Sequence, residues 1–344
     1  MKPMPFAVIG CGFMGGILAE AAAQLPYTQC VGAADLDLRL AGRLADCCGG
    51  RAYGSYQEML AREKPEAVFI ATPELVHREP ALAAIEAGAH LFIEKPLAVS
   101  LTDCDAIINA ARKAGVKLMT GHILRFETTY AMLKSALDEG SIGVFRSAYA
   151  RRVATIDEAR RLKGRISPLT YIGVHDFDQF LWYHPAPVKS VFARAIRGRV
   201  QEELGVYDAA WVMIEFSDGA LGIEEVGWCL PEEWAQWQQP KSWGGFGDVR
   251  MNVTGTHGVL NINLTPMDLY GCNREGWKLP DTRHWPRLHG KINGALKCEV
   301  EHFFDCLHDD REPVSGGEDG RKAVEIMAAA EQSIAEGRIV SLPL

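Results

Sequence analysis

Nowhere in these 344 residues does an apolar run reach the ~20 residues that a bilayer-spanning helix needs. The opening residues, Met1 to Pro5, carry no charged-then-apolar leader and no small-residue cleavage site, so a cytoplasmic address is expected. Positive charge is not in excess. Lys and Arg number 36 against 44 Asp and Glu, a net charge of -8 with a pI near 5.7, which gives no electrostatic reason to meet nucleic acid or anionic membrane. The basic pairs Arg151-Arg152 and Arg160-Arg161 are too short for a polyanion track. The nine cysteines include no C-x-x-C and lie scattered in apolar segments, which argues against a disulfide scaffold and predicts that most are small buried hydrophobes. H-E-x-x-H, the Walker loop and G-x-S-x-G are all missing, so metallohydrolase, nucleotide triphosphatase and serine hydrolase chemistry lacks support.

What is there is ordinary globular composition, 48% hydrophobic and 23% charged, in a chain long enough for two domains. Through residue 123, short apolar runs alternate with amphipathic helical segments. The runs are Phe6–Ile9, Cys30–Ala34, Ala67–Ala71, His90–Ile93 and Lys117–Met119. Continuous apolar strands between helices mean a parallel sheet covered on both faces. From 124 to 344 longer alternating runs take over, including Val188–Ile196, Ala209–Phe216, Ala220–Trp228 and Gly258–Ile262, with hairpin turns at Ser217-Asp218-Gly219 and Thr256-His257-Gly258. The expected fold is α/β: an N-terminal doubly wound domain (1–123) and a C-terminal α+β domain (124–344) with a large, mostly antiparallel open sheet. The last helix, 320–337, is a candidate to pack back on the first domain. Trp211, Met213, Trp228 and Trp234 enrich the second half. An open sheet face carrying such residues is commonly covered by another copy, so a homodimer or homotetramer is expected, although an internal core would use the same residues.

The first motif with chemistry is Gly10-Cys11-Gly12-Phe13-Met14-Gly15, a G-x-G-x-x-G that leaves a strand and opens a helix. Gly10 permits the tight turn, Gly12 lets backbone approach a pyrophosphate, and Gly15 lets helix meet strand. The helix N-terminus then offers free N–H groups to the phosphates. Asp35 ends the second strand 20 positions after Gly15, placed to accept from adenosine ribose hydroxyls. A carboxylate there repels a 2′-phosphate, so NAD is expected over NADP, with Arg39 one turn on able to soften that preference. Leu36 lies beside Asp35 in the same cofactor segment.

Further motifs follow in order: Ala71-Thr72-Pro73 with His77; Glu94-Lys95-Pro96; Gly121-His122 with Arg125-Phe126; Gly173-Val174-His175-Asp176-Phe177-Asp178; and Ser315 to Arg321. Over essentially its whole length the sequence resembles the Gfo/Idh/MocA family (glucose–fructose oxidoreductase / inositol dehydrogenase / MocA). That resemblance implies nicotinamide-dependent oxidation or reduction of a hydroxyl/carbonyl pair, usually on sugars, inositols or their derivatives. It also implies cofactor contacts from Thr72, Pro73, His77, Glu94 and Lys95, with Lys95 near the reacting oxygen and His175 facing the nicotinamide. A carbinol that loses a hydride must also lose a proton, and histidine titrates near neutrality. His175 is therefore assigned as general acid/base and Lys95 as the charge that stabilises a developing alkoxide.

The sequence departs from the family pattern at one place. Where many of its dehydrogenases carry an aspartate one helical turn before the histidine, this chain has Tyr171. At i and i+4 on one helix, Tyr171 could still reach the site as a substrate-binding hydroxyl or aromatic platform, the favoured reading. It could instead be a proton donor activated by Lys95, or mark a loss of dehydrogenase chemistry. His122, Arg125, Arg152, Asp176, Asp178 and Trp228 are candidate substrate contacts. The competing readings are a structural histidine, ion-paired arginines, a helix-anchoring aspartate and a core tryptophan. Arg152, Arg160, Arg161, Lys163 and Arg165 could form a cationic pocket for a nucleotide sugar, or a mobile surface loop. Cys298, His302 and Cys306 share a helix face but spread over two turns, too far for one ion, so no metal is expected. The alternatives to a sugar or polyol dehydrogenase are an NAD-retaining, redox-neutral glycoside-cleaving enzyme and a non-enzymatic sugar or dinucleotide sensor.

Overall fold

The computed structural model describes residues 3–235, 238–239, 247–264, 269, 271–274 and 276–344. The chain divides into two compact units, Met1–Glu127 with Arg283–Arg321, and Thr128–Thr282 with Lys322–Leu344. The first unit is built on strands β1 (Met4–Ile9), β2 (Thr28–Ala34), β3 (Arg51–Tyr53), β4 (Ala67–Ile70), β5 (His90–Glu94) and β6 (Leu118–Gly121). They lie in the order β3-β2-β1-β4-β5-β6, every neighbouring pair parallel, which is the dinucleotide-binding arrangement. Phe6, Val8, Val68, Phe69, Leu91 and Phe92 are fully buried because helices cover both faces. Those helices are α1 (Phe13–Ala23), α2 (Leu38–Cys48), α3 (Tyr56–Glu63), α4 (Arg78–Glu86) and α5 (Leu101–Ala114).

The helix Ala295–His308 belongs to this unit although it is distant in sequence. Its Phe303 and Phe304 meet Phe6, Phe69 and Phe92 at ring-centroid distances of 5.8–5.9 Å, in edge-on and tilted pairs. That aromatic layer is why residues 283–321 join the first unit, whereas the sequence reading cut the chain once, after 123.

In the second unit the sheet runs in the order Val259–Asn263, Asp248–Gly255, β7 (Phe145–Thr155), β10 (Leu221–Leu230), β9 (Ala209–Phe216), β8 (Val188–Ile196), Val340–Ser341. Neighbours are antiparallel except the parallel pair β7 and β10. Along β9, Val212, Ile214 and Phe216 point inward while Trp211 and Met213 stay 43% and 42% exposed, the alternation of a half-buried strand. On the covered face lie α6 (Thr128–Asp138) and α8 (Val174–Tyr183); Phe180 of α8 sits against Gly222. The basic stretch after Thr155 is not a loop. Ile156, Ala159 and Leu162 recur at helical spacing and fold it as α7 (Ile156–Arg161), joined to Ile166, Val200 and Trp228 in one apolar cluster. The helix expected from Tyr171 begins only at Val174, after a single π-turn over Leu169–Gly173.

Candidate functional site

In the first unit β1 is followed by Gly10 at φ +91, a backbone region open to glycine. A Cβ there would lie 2.6 Å from the backbone of Ala71 and Thr72, and one at Gly15 would lie 1.9 Å from the Gly10 carbonyl oxygen. Gly12 is different: a Cβ placed on it meets nothing within 4 Å. It caps α1, which has no side-chain cap, whereas Asp37, Ser55 and Ser100 cap α2, α3 and α5. The N–H groups of the first turn of α1 therefore open onto the free space over Gly12, where an anion would be stabilised.

Asp35 stands beside this turn with both oxygens anchored. The Cys11 N–H donates to Oδ2 at 2.7 Å and the Asp37 N–H to Oδ1 at 2.8 Å. Each oxygen keeps a further lone-pair direction for a ribose hydroxyl. Arg39 is held by Asp37 through Nε at 3.0 Å and Nη2 at 2.7 Å, in full solvent exposure. Leu36 is almost completely exposed, Phe13 half-exposed against Trp285, and Met14 half-buried. Across the turn, the buried Thr72 Oγ1 makes no hydrogen bond within the protein, and Pro73 beside it is exposed. An uncapped helix end, open space over Gly12, an anchored carboxylate and a buried hydroxyl donor together fit a dinucleotide.

β5 delivers Glu94 and Lys95. Glu94 is buried and accepts from the Lys95 N–H at 3.2 Å. Burial pushes its carboxyl up to about 7, against the pull of the Lys95 charge. Lys95 is half-buried. His77 is buried, with Nδ1 2.9 Å from the Pro96 carbonyl and Nε2 3.0 Å from the Thr72 carbonyl, so both its ring nitrogens face protein backbone. His122 is buried as well, and the buried Arg125 guanidinium meets the Val314 carbonyl and Asp319. Cys306 and the Val314 N–H both approach His302 Nε2, at 3.3 and 3.0 Å. Among the described residues no group of His, Cys, Asp and Glu is arranged to hold a metal ion.

In the second unit α8 presents a half-buried His175. Its neighbour Asp176 is buried and receives Arg152 through Nε at 2.7 Å and Nη2 at 2.9 Å, and Nη2 also donates to the Tyr130 hydroxyl at 3.0 Å. Asp178 is buried and accepts from Gln179 at 3.3 Å. The structure thus gives Arg152 and Asp176 to each other as a charge-assisted pair. Tyr171 has partners of its own within this unit. The Tyr171 ring packs on the Trp228 cluster, its hydroxyl accepts from Arg161, and the Arg161 guanidinium lies 5.6 Å from the ring centroid. Trp228 itself is a core residue, 1% exposed.

Of the basic residues read as a cationic pocket, Arg152, Arg160 and Arg161 are paired with acids. Arg160 meets Asp157, Glu203 and Glu232, and Arg161 meets Glu158. The residue missed by sequence reasoning is Glu224, fully buried on β10, its carboxyl 3.3 Å from where a Gly173 Cβ would stand. No hydrogen bond of ordinary geometry reaches its oxygens. Burial first, and then the Asp176 charge, push its pKa well above the usual carboxylate range. Its inward phase on β10, shared with Gly222 and Val226, was the available signal.

Residues 4–122 match the model of the oxidoreductase family with NAD-binding Rossmann fold, and residues 130–261 match the GFO/IDH/MocA C-terminal domain. The chain belongs to the Gfo/Idh/MocA family of NAD-dependent oxidoreductases. It is 27% identical to myo-inositol 2-dehydrogenase of Thermotoga maritima, over 98% of both chains. It is 24% identical to 2,7-anhydro-N-acetylneuraminate hydratase of Mediterraneibacter gnavus, over 99% of this chain and 97% of that one. Its fold matches scyllo-inositol dehydrogenase from Lactobacillus casei, solved with NAD(H) and scyllo-inositol, at a TM-score of 0.84 and 18% identity over 99% of each chain. Among its described residues, no helix is long and apolar enough to cross a membrane.

Proposed function

We propose that this Gfo/Idh/MocA protein interconverts a hydroxyl and a carbonyl carbon on a sugar, polyol or sugar derivative, with NAD as the redox partner. The observation carrying the reading is the glycine turn of the first unit, with its uncapped helix end and anchored Asp35. NAD, when bound, supplies the two-electron acceptor. Gly10, Gly12 and Gly15 shape its phosphate seat, Asp35 takes the ribose hydroxyls, and Thr72 offers a hydroxyl donor. The fixed negative charge of Asp35, with Arg39 already matched by Asp37, favours NAD over NADP. His175 exchanges the carbinol proton, and Lys95 offsets negative charge developing on that oxygen.

The half-exposed Trp211 and Met213 support a homodimer or homotetramer through the second unit's sheet, which light scattering on a sizing column reads directly. A second reading, addition or elimination on an anhydrosugar or glycoside with NAD retained, is favoured by the hydratase relative and by Tyr171 in place of an acid.

The test is the near-ultraviolet absorbance of reduced nicotinamide. Purified protein is given NAD, then NADP, with free sugars, inositols, anhydrosugars and glycosides, beside His175→Ala and Lys95→Ala. NADH formed with one substrate class and lost in both variants supports dehydrogenation. Product release without NADH accumulation selects the second reading. Silence throughout, despite tight NAD binding, sinks both and leaves a sensor.

A further inference from the structure

His77 lies twenty residues before Leu97, yet its ring stands between two turns that the cofactor reading depends on. Nδ1 is 2.9 Å from the carbonyl of Pro96, which follows Lys95, and Nε2 is 3.0 Å from the carbonyl of Thr72. Both partners are acceptors only, while a neutral imidazole has one N–H. Burial holds the ring's pKa below the usual histidine value, against the opposing pull of these carbonyls, the Leu97 backbone and Glu74. The ring is therefore neutral near pH 7 and must choose.

The choice follows from solvent. The His77–Pro96 contact is buried and the His77–Thr72 contact only partly so, so an unmade bond costs more at the Pro96 carbonyl. The proton belongs on Nδ1. We propose that His77 is a positioning residue whose Nδ1–H holds the Pro96 carbonyl and so fixes the turn that presents Lys95. This rests on the reading of Lys95 as the charge at the reacting oxygen. A side chain misplaced by ~1 Å there costs about 100-fold in rate.

Substitution by amides separates the two bonds. Asn places its Nδ2 where His Nδ1 was, keeping the Pro96 bond, while Gln reaches toward the Nε2 position and keeps only the Thr72 bond. His77→Asn, His77→Gln, His77→Ala and Lys95→Ala are compared by hydrogen exchange of the Lys95 and Leu97 amides in the NAD-free protein, by NAD affinity, and by kcat and KM. The expected result is that Gln and Ala speed exchange about tenfold or more and lower kcat about 10- to 100-fold with little change in KM, while Asn restores both. Nitrogen-15 spectra of the wild-type ring should show the Nδ1–H tautomer, a readout that survives if His77→Ala fails to fold. An Nε2–H tautomer, rescue by Gln instead of Asn, or equal loss of stability in all three with kcat and exchange at 95–97 unmoved would overturn the proposal. If Lys95→Ala keeps its kcat, the role given to Lys95 fails, and with it this extension of it. Lys95→Ala inactive with His77→Ala fully active sinks the clasp alone.

Discussion

Glu224 permits a quantitative test of the second unit. Its carboxyl is fully buried, beside an Asp176 that Arg152 already neutralises. Burial, the largest cause, keeps the proton on Glu224 well past the pH at which an exposed carboxyl releases it. Below the ordinary carboxyl value of 4.5, folded and unfolded chains both hold that proton. As pH rises, the unfolded chain releases it while the folded chain keeps it, so the unfolded state binds fewer protons and stability falls. The stability that this raised group contributes is thus complete below its unfolded pKa and lost as pH climbs toward its folded one. One proton corresponds to a slope of about 1.4 kcal/mol per pH unit. Glu224→Gln keeps the shape, supplies an N–H toward Asp176, and has no proton to lose. Urea unfolding of both proteins, followed by tryptophan fluorescence across about pH 4 to 8, should give similar stabilities at the acid end. The variant should then gain on wild type by up to about 1.4 kcal/mol per pH unit until the pH reaches the folded value of Glu224. A difference that stays flat with pH would refute the buried neutral acid.

Gly15→Ala puts a methyl carbon 1.9 Å from the Gly10 carbonyl oxygen. Overpacking of about 1–3 kcal/mol should appear as NAD binding weakened about tenfold or more in a fluorescence titration. Asp35→Ser removes the acceptor of two backbone N–H groups and the charge that repels a 2′-phosphate. NAD affinity should fall while the NADP-to-NAD ratio of kcat/KM rises, and an unchanged ratio would remove Asp35 from cofactor choice. Arg152→Met strands the buried Asp176 and should cost about 3–5 kcal/mol in thermal unfolding, with much of it regained in Arg152→Met/Asp176→Leu.

The dinucleotide half was legible because its signals are local. Apolar strands buried on both faces read as unbroken runs, and Gly10, Gly12, Gly15 and Asp35 sit within 26 residues of one another. The strands Val188–Ile196 and Ala209–Phe216 have the bounds that their patterns predict. The π-turn at Leu169–Gly173 was not legible, since one extra residue in a turn leaves the run of apolar side chains intact. The partners of Arg152, Arg160 and Arg161 were hidden for another reason. Several of their carboxylates come from elsewhere in the chain, Asp176 for Arg152, Glu203 and Glu232 for Arg160, and spacing along a chain says little about who meets whom. Trp228 was undecided between core and site; its place among Ala159, Leu162 and Val200 makes it core.

The aromatic layer between Phe6, Phe69, Phe92 and the helix Ala295–His308 has a consequence for synthesis. A ribosome releases the chain from its N-terminus, so the six parallel strands emerge long before the helix that covers their phenylalanines. Between residue 127 and residue 308 the nascent chain waits about 10 to 40 s at ordinary elongation rates. Through that interval the newborn sheet carries an uncovered aromatic face. Slowing translation should therefore raise this protein's demand for chaperones, and transplanting 283–321 to follow residue 127 directly should relieve it.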